Sequence, residues 1–418
     1  MANERSVVLI SLDGFPAYAL EDELLPIPTL RRLMRNGASA KRMKTVNPTV
    51  TWPNHTAMIT GVDASKHGVL FNGMLTRPGP KQPVKLEPWR DKAEMVKAQT
   101  VYDLAHNAGM TTAQVNWVAI FNAATITWKF PELAIPDGQI EKELLASGEV
   151  TEKEIATFRT VNITRRDQIW TRAAAHILKA HKPNLLMYHL LNMDSTHHTY
   201  SSRNQASNSA MGFADGQVHE LLEAIDLAKT TVIVVSDHGF RMINRTIRPN
   251  ALLHHYGLLE TNSCDAYVFP EGGTAMVYIT DRARRAELLP KVKEMFSKVE
   301  GIARVVDATG YAELGFPDPA GYDQMSDLVL VAKPGFGFAA QMDGGVVDEA
   351  PSRTPNGAHG YLNSDPDMDA IFIACGAGIR KGVKLDTIRN VDVAPTVAEL
   401  LGLKMPDVQG RPLRAIFV

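Results

Sequence analysis

The chain has 418 residues, is 45% hydrophobic and carries a formal net charge of −2. That length buries more core than one ordinary domain needs, so a large catalytic domain with insertions or a cap is expected. Lys and Arg are spread along the chain, which excludes a general polyanion binder, and two distant cysteines, Cys264 and Cys375, exclude a disulfide framework and a Cys-based zinc site.

The first residues run straight into an apolar stretch, Ser6–Leu12, without the basic head, long apolar run and cleavage site of a signal peptide. No apolar stretch is long enough to span a bilayer, so a cytoplasmic protein with no membrane partner is expected. Ser6–Leu12 is apolar on both faces, as a strand covered on both sides of a parallel sheet should be, and Asp13-Gly14 follows it. Lys41, Arg42 and Lys44 read as a solvated surface cluster. Pro53 marks the first turn of a helix running to about Thr60, which puts Thr51 or Trp52 at its N-cap. Residues 71–100, rich in Pro, Lys and Gly, read as a surface excursion.

Further strands are predicted at Thr111–Val115, Leu185–Leu191, Thr231–Val235 and Asp369–Ala374. Helices are predicted at Arg166–His181, with Ile169, Ala173 and Ile177 on one stripe, at Phe213–Leu227, and at Val393–Leu401 before Gly402. This alternation predicts an α/β sandwich of three layers with a mostly parallel central sheet. Residues 241–350 carry a pattern of their own: strands at Ala275–Ile279, Ile302–Val306 and Asp327–Ala332, a helix over Arg282–Val299, and a Gly/Phe-rich loop at 335–338. They read as an inserted α+β cap on a core made of residues 1–240 and 351–418.

Ligands in open α/β sheets sit at the carboxyl ends of the strands. Asp13 follows the first strand, Asp194 and His198 follow Leu185–Leu191, Asp237 and His238 follow Thr231–Val235, and His359 lies just before the last strand. Asp and His together suit zinc or manganese, whereas calcium and magnesium sites rarely use His. Taken singly, an Asp-Gly is a turn, an Asp/His pair at i, i+4 is a helix ion pair, and a His-Gly is polar surface. Their shared placement favours a metal centre. Thr51 reads either as a plain N-cap or as a hydroxyl held at the positive end of a helix beside that centre, ready to attack phosphorus.

Asp13-Gly14-Phe15, Thr51-Trp52-Pro53-Asn54-His55, Asp194-x-x-x-His198, Asp237-His238-Gly239 and His359-Gly360-Tyr361, in that order, resemble the nucleotide pyrophosphatase/phosphodiesterase branch of the alkaline phosphatase superfamily. The resemblance extends from Leu9 to the Val391–Leu403 tail. It implies an alkaline-phosphatase-type sandwich and two divalent metal ions, zinc first. One ion takes Asp194, His198 and His359; the other takes Asp13, Asp237 and His238, with Thr51 as nucleophile beside it. Asn72 stands at the family's spacing for a residue that hydrogen-bonds a phosphoryl oxygen. Trp52 matches an aromatic that packs on the substrate's organic group, and reads equally as a buried helix-start aromatic. The sequence departs from the family where His189 replaces a base-stacking Tyr, with Tyr188 one residue off, and where Asn116–Phe121 replaces an aromatic-rich loop.

The implied reaction is hydrolysis of phosphodiester or nucleotide pyrophosphate bonds through a phosphothreonine at Thr51, on a small-molecule substrate and without stable nucleic-acid binding. A phosphomonoesterase or phosphonate hydrolase on the same core is the nearest rival, but Lys129 alone supplies a cation between Thr111 and Pro136. A catalytically inactive binding domain is the rival of another class, and the complete ligand set weighs against it.

Overall fold

The computed structural model describes residues 5–348 and 356–418. Its centre is an eight-stranded sheet in the order Val383–Arg389, Ala38–Lys44, Phe372–Gly376, Thr230–Val235, Ser6–Leu12, Leu185–Leu190, Thr112–Val115, Trp128–Phe130. Seven strands run parallel, and Phe372–Gly376 runs against both its neighbours. The chain folds this way because its central strands are apolar on both sides. In Ser6–Leu12, Val8, Ile10 and Leu12 join the core under one helical layer, while Val7 and Leu9 join the other. Each such side chain contributes about 1.5–3 kcal/mol by burial.

Helices cover both faces. Ile163–Ala180 buries Ile169, Ala173 and Ile177 as the stripe predicted, and begins three residues early because Asn162 caps it through Arg165 N–H at 2.9 Å. The helix expected at Phe213–Leu227 spans Gln205–Leu222, started by Asn204 and ended before the turn at Glu223. No helix among the described residues is long and apolar enough to cross a membrane.

Three strands of the central sheet escaped the sequence pattern. Ala38–Lys44 contains the basic cluster expected at a solvated surface. It is a sheet strand whose basic side chains do face solvent, Lys41 being exposed and Arg42 and Lys44 partly so, and Lys44 and Arg42 also reach the buried Asp369 at 2.8 and 3.7 Å. Val383–Arg389 alternates exposed and half-buried residues at the sheet edge, and Trp128–Phe130 is too short for periodicity to register. Asp369 precedes its strand rather than opening it.

Residues 241–348 supply a second sheet, antiparallel, in the order Ala266–Pro270, Thr274–Ile279, Leu328–Ala332, Ile302–Val306, backed by the helix Arg285–Ser297. The loop expected at 335–338 contains a short strand, Phe336–Phe338, paired with Arg245–Ile247. Arg241–Ile243 pairs antiparallel with Asn356–Ala358, so the two ends of this excursion form a ribbon at its neck. The 71–100 segment is more than surface: Leu75, Val84, Met95 and Val96 are buried, and Gln324 brackets Leu75 with two 2.7 Å hydrogen bonds. Cys264 and Cys375 are buried free thiols.

Candidate active site

The predicted ligands meet at the carboxyl edge of the sheet. The first strand delivers Asp13, whose backbone N–H donates to Leu190 O at 3.0 Å across the sheet. Gly14 then turns at φ +70°, and a Cβ there would lie 2.7 Å from the Phe240 ring. Its N–H donates to Asp237 Oδ1 at 3.0 Å, as does that of His238. Asp194 and His198 share one face of the helix Asn192–Tyr200, which follows the strand Leu185–Leu190. His359 arrives from before the antiparallel strand, whose amino end lies at this same edge. Gly360 passes so close to Glu271 O that a Cβ would sit 1.6 Å from it, at φ +79°.

Two clusters of donor atoms result, Asp194/His198/His359 and Asp13/Asp237/His238, each with its atoms within 4.8 Å of one another. The histidines are oriented alike. Nδ1 of His198, His238 and His359 faces the backbone carbonyls of Gly357, Gly239 and Thr49 at 3.3, 3.1 and 3.0 Å. That leaves each Nε2 toward a carboxylate: His238 to Asp237 at 3.2 Å and Asp13 at 3.5 Å, His198 and His359 to Asp194 at 3.4 and 3.9 Å. Outer-shell carbonyls commonly fix metal-binding imidazoles this way.

The electrostatics of the bare site call for cations. Asp13 Oδ1, Asp194 Oδ1, Asp237 Oδ2 and His238 Nε2 are buried without a hydrogen-bond partner. Burial raises the carboxyls of Asp13, Asp194 and Asp237 above their usual range, and the charge of Asp194 adds to the effect on Asp13. Burial also holds His238 well below its usual value and His359 down at about 3, so both imidazoles are neutral with a free lone pair. Orphaned acceptors and neutral imidazoles are the donor set a divalent ion satisfies.

Thr51 is tied to both clusters through its neighbours Thr49 and His55. It is the first residue of the helix Thr51–Thr60, Val50 being the cap. Thr49 O, two residues earlier, holds His359 Nδ1 and Gly360 N–H, each at 3.0 Å. Thr51 O accepts from His55 Nδ1 at 2.8 Å, and that nitrogen lies 3.6 Å from Asp237 Oδ2. Neighbouring hydroxyls point elsewhere: Thr49 to Tyr361 O, Thr56 to Trp52 O and Thr60 to Thr56 O, each at 2.7 Å. Asn72 accepts the Trp52 N–H on Oδ1 at 3.0 Å. Trp52 packs on Val69, Met95, Val96, Val118 and Ala119, and also lines a cavity of about 290 Å³. The indole is thus a buried aromatic at a helix start that also walls a cavity.

Sequence reasoning missed several supports. Asn54 fastens the loop before Thr51, accepting Val46 N–H and donating to Val50 O, each at 2.9 Å. Asp167 accepts the N–H groups of Leu191 and Asn192 at 3.0 Å, seating the helix that carries Asp194. His189 sits 2.8 Å from Asp13 Oδ2, with its other nitrogen 3.0 Å from Asn116 O, so it braces a ligand instead of stacking on a base. Tyr188 is fully buried against Thr171. Trp89 and Arg90, from the supposed surface excursion, join Trp117, Phe121 and Lys129 around the cavity. A helix-capping signal at residue 162 was readable, but these long-range contacts carry no local signal.

A family model described as type I phosphodiesterase / nucleotide pyrophosphatase matches residues 7–362. Human ectonucleotide pyrophosphatase/phosphodiesterase family member 1 is 23% identical over 424 residues, covering 95% of this chain and 40% of its own. Human Bis(5'-adenosyl)-triphosphatase ENPP4 is 24% identical over 414 residues, covering 95% of this chain and 78% of its own. This chain thus spans less than half of the first relative and about four fifths of the second. The solved structure of murine ectonucleotide pyrophosphatase/phosphodiesterase 5 superposes with a TM-score of 0.74 at 19% identity, over 99% of this chain and 100% of that one. An inactive form of the same murine protein, in complex with AMP, superposes equally, with a TM-score of 0.74. These likenesses show the shared fold, the alkaline-phosphatase-type sandwich. With the family model reaching from the first strand to beyond His359, and so over both donor clusters and the helix Thr51–Thr60, the chain belongs to the type I phosphodiesterase / nucleotide pyrophosphatase family.

Proposed function

We propose that the protein hydrolyses phosphodiester or nucleotide pyrophosphate bonds with two zinc ions and a phosphothreonine formed at Thr51. The observation that carries this is the pair of donor clusters, buried but for His198 and with unpartnered ligand atoms, tied through Thr49 and His55 to the start of the helix Thr51–Thr60. Asp194, His198 and His359 hold one ion, and Asp13, Asp237 and His238 the other. When bound, the ions supply Lewis-acid stabilisation of the nucleophile and of the leaving oxygen.

The chain's own residues do the rest. Thr51 Oγ1, at the positive end of the helix, loses its proton to solvent and forms a bond to phosphorus as the bond to the leaving oxygen breaks, that oxygen taking up a proton from solvent. Asn72 offers Nδ2 to a phosphoryl oxygen, because its Oδ1 is committed to Trp52 N–H. Water then adds to phosphorus as the Thr51 Oγ1–phosphorus bond breaks, releasing the monoester product. The Trp52 cavity receives the organic group. Its Trp89, Trp117 and Phe121 suit a flat aromatic ring, in line with the AMP in the murine neighbour and the adenosyl substrate named for the ENPP4 relative. Residues 241–350 act as the cap on a core of 1–240 and 351–418.

Lys129 favours the rival monoester or phosphonate reading, since it too lines the cavity. Its ammonium donates to Ala123 O at 2.9 Å, and Arg90 is paired with Glu94, which leaves the diester reading ahead. Comparing kcat/KM for an aryl phosphodiester and the matching monoester on zinc-loaded protein tests it. A monoester preference would reverse the assignment.

A further inference from the structure

A third group of side chains of metal-ligating type, apart from the two clusters above, lies at the opposite end of the sheet. The helix Ile163–Ala180 ends near the amino edge of the strand Leu185–Leu190, away from the carboxyl edge that carries the active site. In its last turns stand His176 and, at its C-cap, His181. Both aim Nε2 at one oxygen, Glu143 Oε2, at 3.0 and 2.6 Å. Glu143 belongs to the helix Gln139–Ser147. The other nitrogen of His176 lies 3.0 Å from Glu149 Oε1. Trp128, at the start of the edge strand, stacks on the His181 ring at 3.7 Å between centroids.

These contacts have the order of a metal site. The donor atoms of Glu143, His176 and His181 lie within 4.8 Å of one another, and the three side chains are 28%, 14% and 16% exposed. A zinc ion bound at about 2.0–2.2 Å needs donors roughly 3.3 Å apart, within a small side-chain adjustment of those seen. Two His and one Glu are a known zinc donor set that leaves a fourth position for water. Glu149 fixes the tautomer of His176 from behind, the arrangement in which a carboxylate supports a metal-bound imidazole. Trp128 fixes the plane of His181. Two carboxylates and one divalent ion also sum to zero charge.

We propose that Glu143, His176 and His181 bind a transition-metal ion, zinc by donor chemistry, distinct from the active-site ions and supported by Glu149. The ion clips the helix Gln139–Ser147 to the end of the helix Ile163–Ala180. Gln139 and Ile140, at the start of the clipped helix, wall the Trp52 cavity, so the clip steadies that wall from outside. The proposal is independent of the reaction assigned above.

Metal analysis of the zinc-loaded, desalted full chain tests it. The His176→Gln/His181→Gln variant should carry one zinc fewer per chain than wild type, with kcat for a small aryl diester within twofold. Equal zinc content overturns the site. Glu149→Gln should keep the ion but weaken its affinity about 10–100-fold. In the wild-type chain, which needs no variant to fold, zinc should slow diethyl pyrocarbonate modification of His176 and His181, read by peptide mass. An unchanged rate at saturating zinc overturns the proposal.

Discussion

The backbone N–H of Trp52 donates to the side-chain oxygen of Asn72 at 3.0 Å, joining two residues 20 apart in the chain. An N–H can be accepted only by the amide oxygen, so the contact also decides which way the Asn72 NH₂ points. Asn72→Asp keeps the acceptor and loses the donor. It should lower kcat by about 10²–10³, the cost typical of removing one donor to a developing oxyanion, with zinc content unchanged. Steady-state kinetics beside metal analysis would show it, and an unchanged kcat removes Asn72 from the chemistry.

Thr51→Ala should reduce turnover by at least about 10³, because the covalent route is lost while the ligands remain. Thr51→Ser should retain part of the rate. A phosphoryl group trapped during turnover should map to the peptide holding Thr51. A label on another residue would refute the nucleophile.

Removing the ligand charge should act in opposite directions with and without zinc. Asp194→Asn/Asp237→Asn should bind two zinc ions fewer than wild type and lose turnover. Its metal-free form should nonetheless melt no lower than metal-free wild type, because burial already penalises those carboxylates. Zinc should raise the melting temperature of wild type much more than that of the variant. Calorimetry with and without chelator reads both effects.

Trp52→Ala should raise KM for nucleotide or bulky aryl substrates about tenfold, with a smaller fall in kcat, because the indole walls the cavity and is not one of the donor groups. It should also cost about 3–5 kcal/mol of stability, since only 8% of the residue is exposed. Kinetics far below the melting temperature separate the two effects. A KM unchanged for every substrate would leave only the packing role.

His67 gives a pH signature remote from the chemistry. It is fully buried, its Nδ1 accepts the Val69 N–H at 3.1 Å, and burial lowers it from 6.5 to about 3. The folded state therefore disfavours the protonated ring. Stability from this group is fully present above about pH 6.5 and is lost as pH falls toward 3, by at most about 1.4 kcal/mol per pH unit. Urea unfolding at several pH values should show a shallower acid loss in His67→Gln. Parallel curves would contradict it.

The strand-ending ligands were legible because a doubly buried strand announces itself and places the next residue at the carboxyl edge, as for Asp13 and Asp237. His359 was legible by motif alone, since its place depends on the reversed direction of Phe372–Gly376, which no local pattern encodes. The strand Ala38–Lys44 was not legible because its solvated basic end hides a strand whose charges also meet Asp369, over three hundred residues on. The cavity wall was hidden for the same reason: Trp89 comes from a segment whose Pro and Lys content speaks for surface.

The ribbon between Arg241–Ile243 and Asn356–Ala358 ties a loop of more than a hundred residues at its base. Loop closure is costly in chain entropy but grows only logarithmically with length. Once this knot is tied, residues can be added to or trimmed from the far lobe at little further cost. The knot itself has no such freedom: His238 lies three residues before one strand of it, and His359 follows directly after the other. Relatives can thus diverge in lobe size while the neck stays the same length, and a single added residue within the neck should do more damage than the loss of a whole turn beyond it.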